Sequence, residues 1–168
     1  IWLIGLNRKE CNFYTFAWKQ PEIKDYIQDH IDQHPDLSAN KKLLETIPGV
    51  GNATIRQVLA FIGNVEDFQN AKQLAAFIGL NPKQRQPGSS VRGRTRLSKI
   101  GDSRLRKAFY MPAIVSKQYN PIIKDFCARL KTAGKSPMQI IGAAMRKLVH
   151  LIYGVLKSGK PFNPSLAM

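Results

Sequence analysis

Apolar residues recur at three- and four-residue spacing along most of the chain, the pattern of helices that each bury one face. From Pro21, which suits a first helical turn, Ile23, Tyr26, Ile27 and Ile31 mark a first helix. Pro35 breaks it, and Asp36–Asn40 reads as a loop in which Ser38 or Asn40 caps the next helix. Leu43, Leu44 and Ile47 form the last apolar turn of that helix before Pro48. Gly49 and Gly51 follow, and Ile55, Val58, Leu59 and Ile62 make a further helix that stops near Gly63-Asn64. Phe68, Leu74, Phe77 and Ile78 are the face of a short helix closed by Gly79, with a turn at Asn81-Pro82. Residues 41–82 therefore read as a compact, neutral helical unit. Beyond the basic stretch, a helix capped by Asp102 or Ser103 runs from Arg104 through Leu105, Phe109 and Ile114, kinked at Pro112. Ile122, Ile123, Phe126 and Leu130 mark another, restarted at Asn120-Pro121 and stopped by Gly134. Ser136-Pro137 opens the longest one, whose apolar stripe runs from Ile140 through Met145, Leu148 and Ile152 to Leu156 before Ser158-Gly159. Residues 1–20 are apolar and aromatic without clean periodicity; packing suits them better than a platform for bases.

The fold class this predicts is all-α: a helix-hairpin-helix unit, a basic loop segment and a helical bundle. The hairpin around Gly49-Val50-Gly51 carries the first functional signal. Two glycines at a helix start let the backbone turn and leave N–H groups pointing outward. With the helix dipole they make an anion site that a nucleic-acid phosphate fits without any charged side chain. The alternative is a plain turn between packed helices.

Charge changes the picture. The chain has 26 basic and 11 acidic residues, a net of +15. Residues 1–82 carry 8 basic and 9 acidic groups, while residues 83–168 carry 18 and 2, so the second half alone is at +16. Such a surface calls for a polyanion, and nucleic acid suits it better than a membrane because no basic amphipathic helix with a bulky aromatic face is evident. Residues 83–107 concentrate nine of the basic groups against Asp102 alone. Arg92, Arg94 and Arg96 alternate as on an extended segment, followed by Lys99, Arg104 and Arg106, and phosphate contact is the role such a run suggests. Cys11 and Cys127 are the only cysteines and form no CxxC, which fits a reducing cytoplasm and argues against a disulfide scaffold. His30 and His34 have a spacing that can hold a metal, but without a third ligand a solvated polar face is the better reading. No apolar run of about 18 residues and no signal peptide is evident.

Several stretches in this order resemble one family. They are Leu43–Gly51, Phe77-Ile78-Gly79-Leu80-Asn81-Pro82, Gly88-Ser89-Ser90-Val91-Arg92-Gly93, Ser98-Lys99-Ile100-Gly101, Leu105-Arg106-Lys107-Ala108, Tyr110-Met111-Pro112-Ala113, Met145-Arg146-Lys147-Leu148 and Tyr153-Gly154-Val155-Leu156-Lys157-Ser158-Gly159. Over about residues 20–164 the chain resembles the C-terminal transposase domain of the insertion-sequence family called one-ten, relatives of the Piv and MooV DNA invertases. The resemblance implies DNA recombination guided by a bridge RNA, homo-oligomers, and an N-terminal RuvC-like domain whose carboxylates hold divalent metal. It also implies a serine in the C-terminal domain that attacks DNA phosphate to form a phosphoserine link. The sequence departs from this pattern twice. No RuvC-like domain is seen, and the serine position before the Gly-Ser-Ser run is Pro87. Ser89 and Ser90 are the remaining candidates for catalysis, displaced by two and three residues from Pro87, and a misplacement of about 1 Å can cost about a hundredfold.

The resulting expectation is a DNA-binding domain of a transposase, a truncated copy, inactive by itself and without a cofactor of its own. Residues 1–40 form an N-terminal remnant or linker helix, and residues 41–164 the transposase domain. Within it lie a helix-hairpin-helix over 41–63, the basic segment 83–107 and C-terminal helices over 104–158. Gly49, Gly51 and Thr54 join the basic residues named above as the nucleic-acid contacts. The competing readings are a stand-alone helix-hairpin-helix module and a basic RNA-binding protein of the translation machinery.

Overall fold

The structure, a computed structural model, describes residues 21–62, 64–83, 96–98 and 100–167. It divides into two compact units, residues 1–39 and 40–168.

The first unit holds α1 (Pro21–Gln33) and the start of α2 (Pro35–Glu45). Along α1 the amide of Gln28 donates to Asp32 at 2.8 Å, and Ile31 is buried. His34 Nδ1 lies 3.0 Å from the carbonyl of His30 and so is engaged with the backbone. Residues 36–40 are helical, which corrects the expected loop. Pro35 takes the first helical position, where its missing N–H is no loss, and Ser38 N donates to His34 O at 2.9 Å. Ser38 and Asn40 are thus inside a helix and cap nothing.

In the second unit the all-α expectation holds, with one small addition. The elements are α3 (Asn52–Ile62), α4 (Ala71–Ile78), α5 (Ser103–Ala108), α6 (Tyr110–Tyr119), α7 (Pro121–Thr132) and α8 (Pro137–Ser158). Local caps set most of the boundaries. Asn70 Oδ1 accepts from Gln73 N, Asp102 Oδ1 from Arg104 N and Leu105 N, and Asn120 Oδ1 from Ile123 N. Ser136 N donates to the Gln139 side chain at the start of α8. Gly79 and Gly159 close α4 and α8 in the left-handed region.

α8 is the spine. Its stripe from Ile140 to Val155 is buried, and it packs against α4, α6 and α7. Among the described helices it is the one long and apolar enough to cross a membrane, but half of its most apolar window is buried in the fold. Leu44, Leu74, Ile78, Leu105, Phe109, Ile123 and Leu148 complete a core without exposure to solvent. Full burial of one such side chain is worth about 1.5–3 kcal/mol.

Residues 41–82 are tied to the C-terminal helices within the second unit, and two expectations change here. Tyr153 in α8 donates its hydroxyl to Phe68 O at 2.9 Å, and Phe162 N donates to Thr46 Oγ1 at 2.9 Å. Asn81-Pro82 leads into a strand rather than a turn: β1 (Pro82–Lys83) pairs antiparallel with β2 (Arg96–Leu97), Pro82 opposite Leu97. Finally, the helix from residue 103 breaks at Phe109, not at Pro112. Pro112 has no N–H to give to Ala108 and its ring crowds that carbonyl, so the interruption falls one turn before the proline.

Candidate nucleic-acid interface

The loop over residues 46–51 joins α2 to α3, and its two glycines do different work. Gly49 has φ +96° and faces inward: a Cβ there would stand 2.7 Å from the backbone nitrogen of Ser116. Ser116, fully buried in α6, donates its hydroxyl to Pro48 O at 3.1 Å. Gly51 is exposed, lies outside the left-handed region, and a Cβ there would meet nothing within 4 Å. Positive φ is therefore a need of Gly49 and not of Gly51. Gly51 O accepts from Thr54 N and Ile55 N, opening α3, whose first residues Asn52 and Ala53 are exposed. The N–H groups of Asn52 and Ala53 precede that first bond, so the helix itself offers them no partner. Thr54 is buried, so its side chain belongs to the interior rather than to this open face.

Arg104 and Arg106 are two residues apart and behave differently. Arg104 is well exposed, pairs with Asp102 at 3.2 Å and lies 4.8 Å over the ring of Phe61. Arg106 is half-buried and donates Nη1 to Ile78 O at 3.0 Å. It serves the end of α4, where the last carbonyls of a helix lack partners. Gly101, at φ +146°, lies against Phe77 O and lets Asp102 N reach that same carbonyl at 3.2 Å. This tethers the end of the basic segment to α4. Lys83 and Lys107 are exposed nearby in sequence. The backbone of Arg96 sits in β2. Pro87, Ser89, Ser90, Arg92, Arg94 and Lys99 lie outside the described residues.

Sequence reasoning missed Ser116, Tyr153 and the inward role of Arg106. No local signal marks them, because each acts on a carbonyl 28 or more positions away. Among the described residues no group of three His, Cys, Asp or Glu could hold a metal ion. Cys127 is buried, and burial pushes its thiol up against the weaker pull of Lys117, so it is not a ready nucleophile.

Two groups tie stability to pH. Burial, then the charges of Arg146, Lys147 and Lys72, hold His150 below its ordinary value of 6.5, and its Nε2 is sealed without a partner. Burial raises Asp102, but hydrogen bonds from the Arg104 side chain and the backbones of Arg104 and Leu105, with the Arg104 charge, outweigh it and leave it lowered from 3.8. Both groups bind protons more readily unfolded. The stability they contribute is complete above the unfolded values and is lost as pH falls, first for His150 and then for Asp102. Melting temperatures should therefore fall from about pH 7.5 to about pH 5, and His150→Gln should flatten that fall. Superimposable pH curves for the two proteins would remove His150 from this account.

Comparison with known proteins adds ancestry to this geometry. The sequence pattern described as "Transposase IS116/IS110/IS902 family" matches residues 41–128. The chain is 40% identical over 143 residues to the pilin gene-inverting proteins of Moraxella lacunata and Moraxella bovis, covering 84% of this chain and 44% of each relative. It is 26% identical over 137 residues to the insertion element IS110 uncharacterized 43.6 kDa protein of Streptomyces coelicolor, covering 82% of this chain and 33% of that one. The chain thus spans less than half the length of these relatives.

Proposed function

The chain belongs to the IS116/IS110/IS902 transposase family, and on that footing we propose that it grips nucleic-acid backbone for a DNA transposition or inversion reaction. The observation that carries this is the segregation of charge: residues 83–168 hold 18 basic and 2 acidic groups, against 8 and 9 before them. A field of one sign over one half of a chain attracts a polyanion along its length and is indifferent to base sequence. The open start of α3 adds a neutral phosphate seat, with Gly51 leaving room for close approach. Exposed Arg104 and Lys107 suit the same backbone, and Arg92, Arg94, Arg96 and Lys99 extend it by their charge. Arg106 and Gly49 then act as supports for the surface.

The relatives matched include pilin gene-inverting proteins, and inversion is a rearrangement of DNA. In our reading duplex DNA is the substrate, a guide RNA a further partner and a homo-oligomer the working form. The resemblance to the one-ten family supports these three. Sparse cysteine usage supports a cytoplasmic setting.

The direct test substitutes Gly51→Val. The backbone there accommodates valine, so circular dichroism and melting should be unchanged. The isopropyl group would stand in the approach to α3, and affinity for a duplex should drop about tenfold, the equivalent of one good contact. Unchanged affinity in the folded variant would return the hairpin to a plain turn. Competition with structured RNA in the same assay separates DNA binding from the translation-machinery alternative.

A further inference from the structure

A groove of about 240 Å³ opens beside α5 and the first turns of α8. Its floor is Leu97, Gly142 and Met145; the absent side chain at Gly142 lets Leu97 come down onto α8, where a Cβ would stand 3.3 Å from Leu97 Cδ1. Its walls include Tyr110 and Met138, both exposed, Met138 by 66%. Lys107 stands exposed at the rim beside Arg106. The groove is thus apolar within and cationic at its edge, on the half of the chain that carries the net +16.

We propose that this groove holds one unpaired nucleobase of the bound nucleic acid, with Lys107 taking an adjoining phosphate. The proposal rests on the nucleic-acid reading above and adds a subsite to it. Charge decides the class of occupant, since a cationic rim on a cationic half-chain favours a polyanion over an apolar peptide or a second copy of the same basic surface. The lining then decides which part of the polyanion enters. A paired duplex presents phosphates and polar base edges, which gain nothing from thioether and aliphatic walls. An unstacked base presents two apolar faces, which stack on an aromatic ring and fit against methionine sulfur. The volume lies below the ~300–1,000 Å³ of pockets for drug-sized ligands, a scale that suits one planar ring system. Stacking of this kind tolerates any base, in keeping with a surface that reads backbone rather than sequence.

The test uses the full chain and two duplexes that differ only in one bulged nucleotide, a fluorescent adenine analogue. The wild-type chain should bind the bulged duplex about tenfold more tightly than the paired one, with a change in the analogue's emission on stacking. Tyr110→Ala with Met138→Ala removes two exposed walls and spares the core. This variant should keep its melting temperature and its affinity for the paired duplex but lose the preference and the emission change. An RNA strand of the same sequence, run in parallel, tells whether the base comes from DNA or RNA. Equal affinity for the two duplexes, or a preference that survives in the double variant, overturns the subsite and leaves the nucleic-acid reading standing. No binding to either duplex at about 50 mM salt overturns both.

Discussion

Affinity for duplex DNA should fall about a thousandfold between 50 and 200 mM salt. The effect follows from counterion release: each phosphate that a lysine or arginine neutralises frees condensed cations, and the gain shrinks as bulk salt rises. Residues 83–168 carry 18 basic groups. If about six of them meet phosphates, the slope of log affinity against log salt is about −5. Arg106 contributes less, because its guanidinium donates to Ile78 O, and Arg104 is partly neutralised by Asp102, whereas exposed Lys107 contributes in full. Lys107→Ala should therefore lower the slope by about 1 without moving the melting temperature. Fluorescence anisotropy across a salt series measures both. A flat salt response, or no binding at 50 mM, would remove the electrostatic basis of the proposed function.

Gly49→Val should destabilise the fold by about 3–5 kcal/mol, enough to threaten a chain whose total stability is about 5–15 kcal/mol. Two costs combine. The first is conformational: a β-branched residue at φ +96° sits where L-residues clash with their own carbonyl, at about 1–3 kcal/mol. The second is steric. The new Cβ would press on the Ser116 backbone, which α6 holds in place and cannot yield as a flexible side chain would. The Ser116–Pro48 hydrogen bond would be lost in the same movement. In a chain of this size the melting temperature should drop by about 10 °C, with a matching fall in the denaturant midpoint. Set beside Gly51→Val, the pair separates the two glycines of the α2–α3 loop, one variant failing in stability and the other in affinity. A Gly49→Val protein that melts like the wild type would mean that this loop and α6 are not locked together.

Much of this fold was legible in the chain itself. Apolar periodicity located the helices, and short-range chemistry fixed their ends. Asp102 before α5, Asn120-Pro121 before α7, Ser136-Pro137 before α8, and Gly79 and Gly159 at the ends of α4 and α8 act on atoms within a few residues of themselves. The family resemblance was legible too, because it lies in the order and spacing of short segments, and the match over residues 41–128 bears it out. The charge segregation needed only counting.

What the tertiary structure alone decided is the direction each of those residues faces. Gly49 and Gly51 are indistinguishable in sequence, yet one presses on Ser116, 67 positions away, and the other faces open space. Arg104 and Arg106 sit in one basic run, yet one lies over Phe61 and the other caps α4. Thr54 at the start of a helix reads as a surface hydroxyl and is buried. Pro82 reads as a turn until Leu97 is brought opposite it. Where a partner decides, as Ser116, Phe61, Ile78 and Leu97 do, it is distant in sequence and comes near only when the chain packs together. Local propensity acts over one or two turns of helix, whereas the sum of buried contacts that orients a side chain exists only in the assembled core.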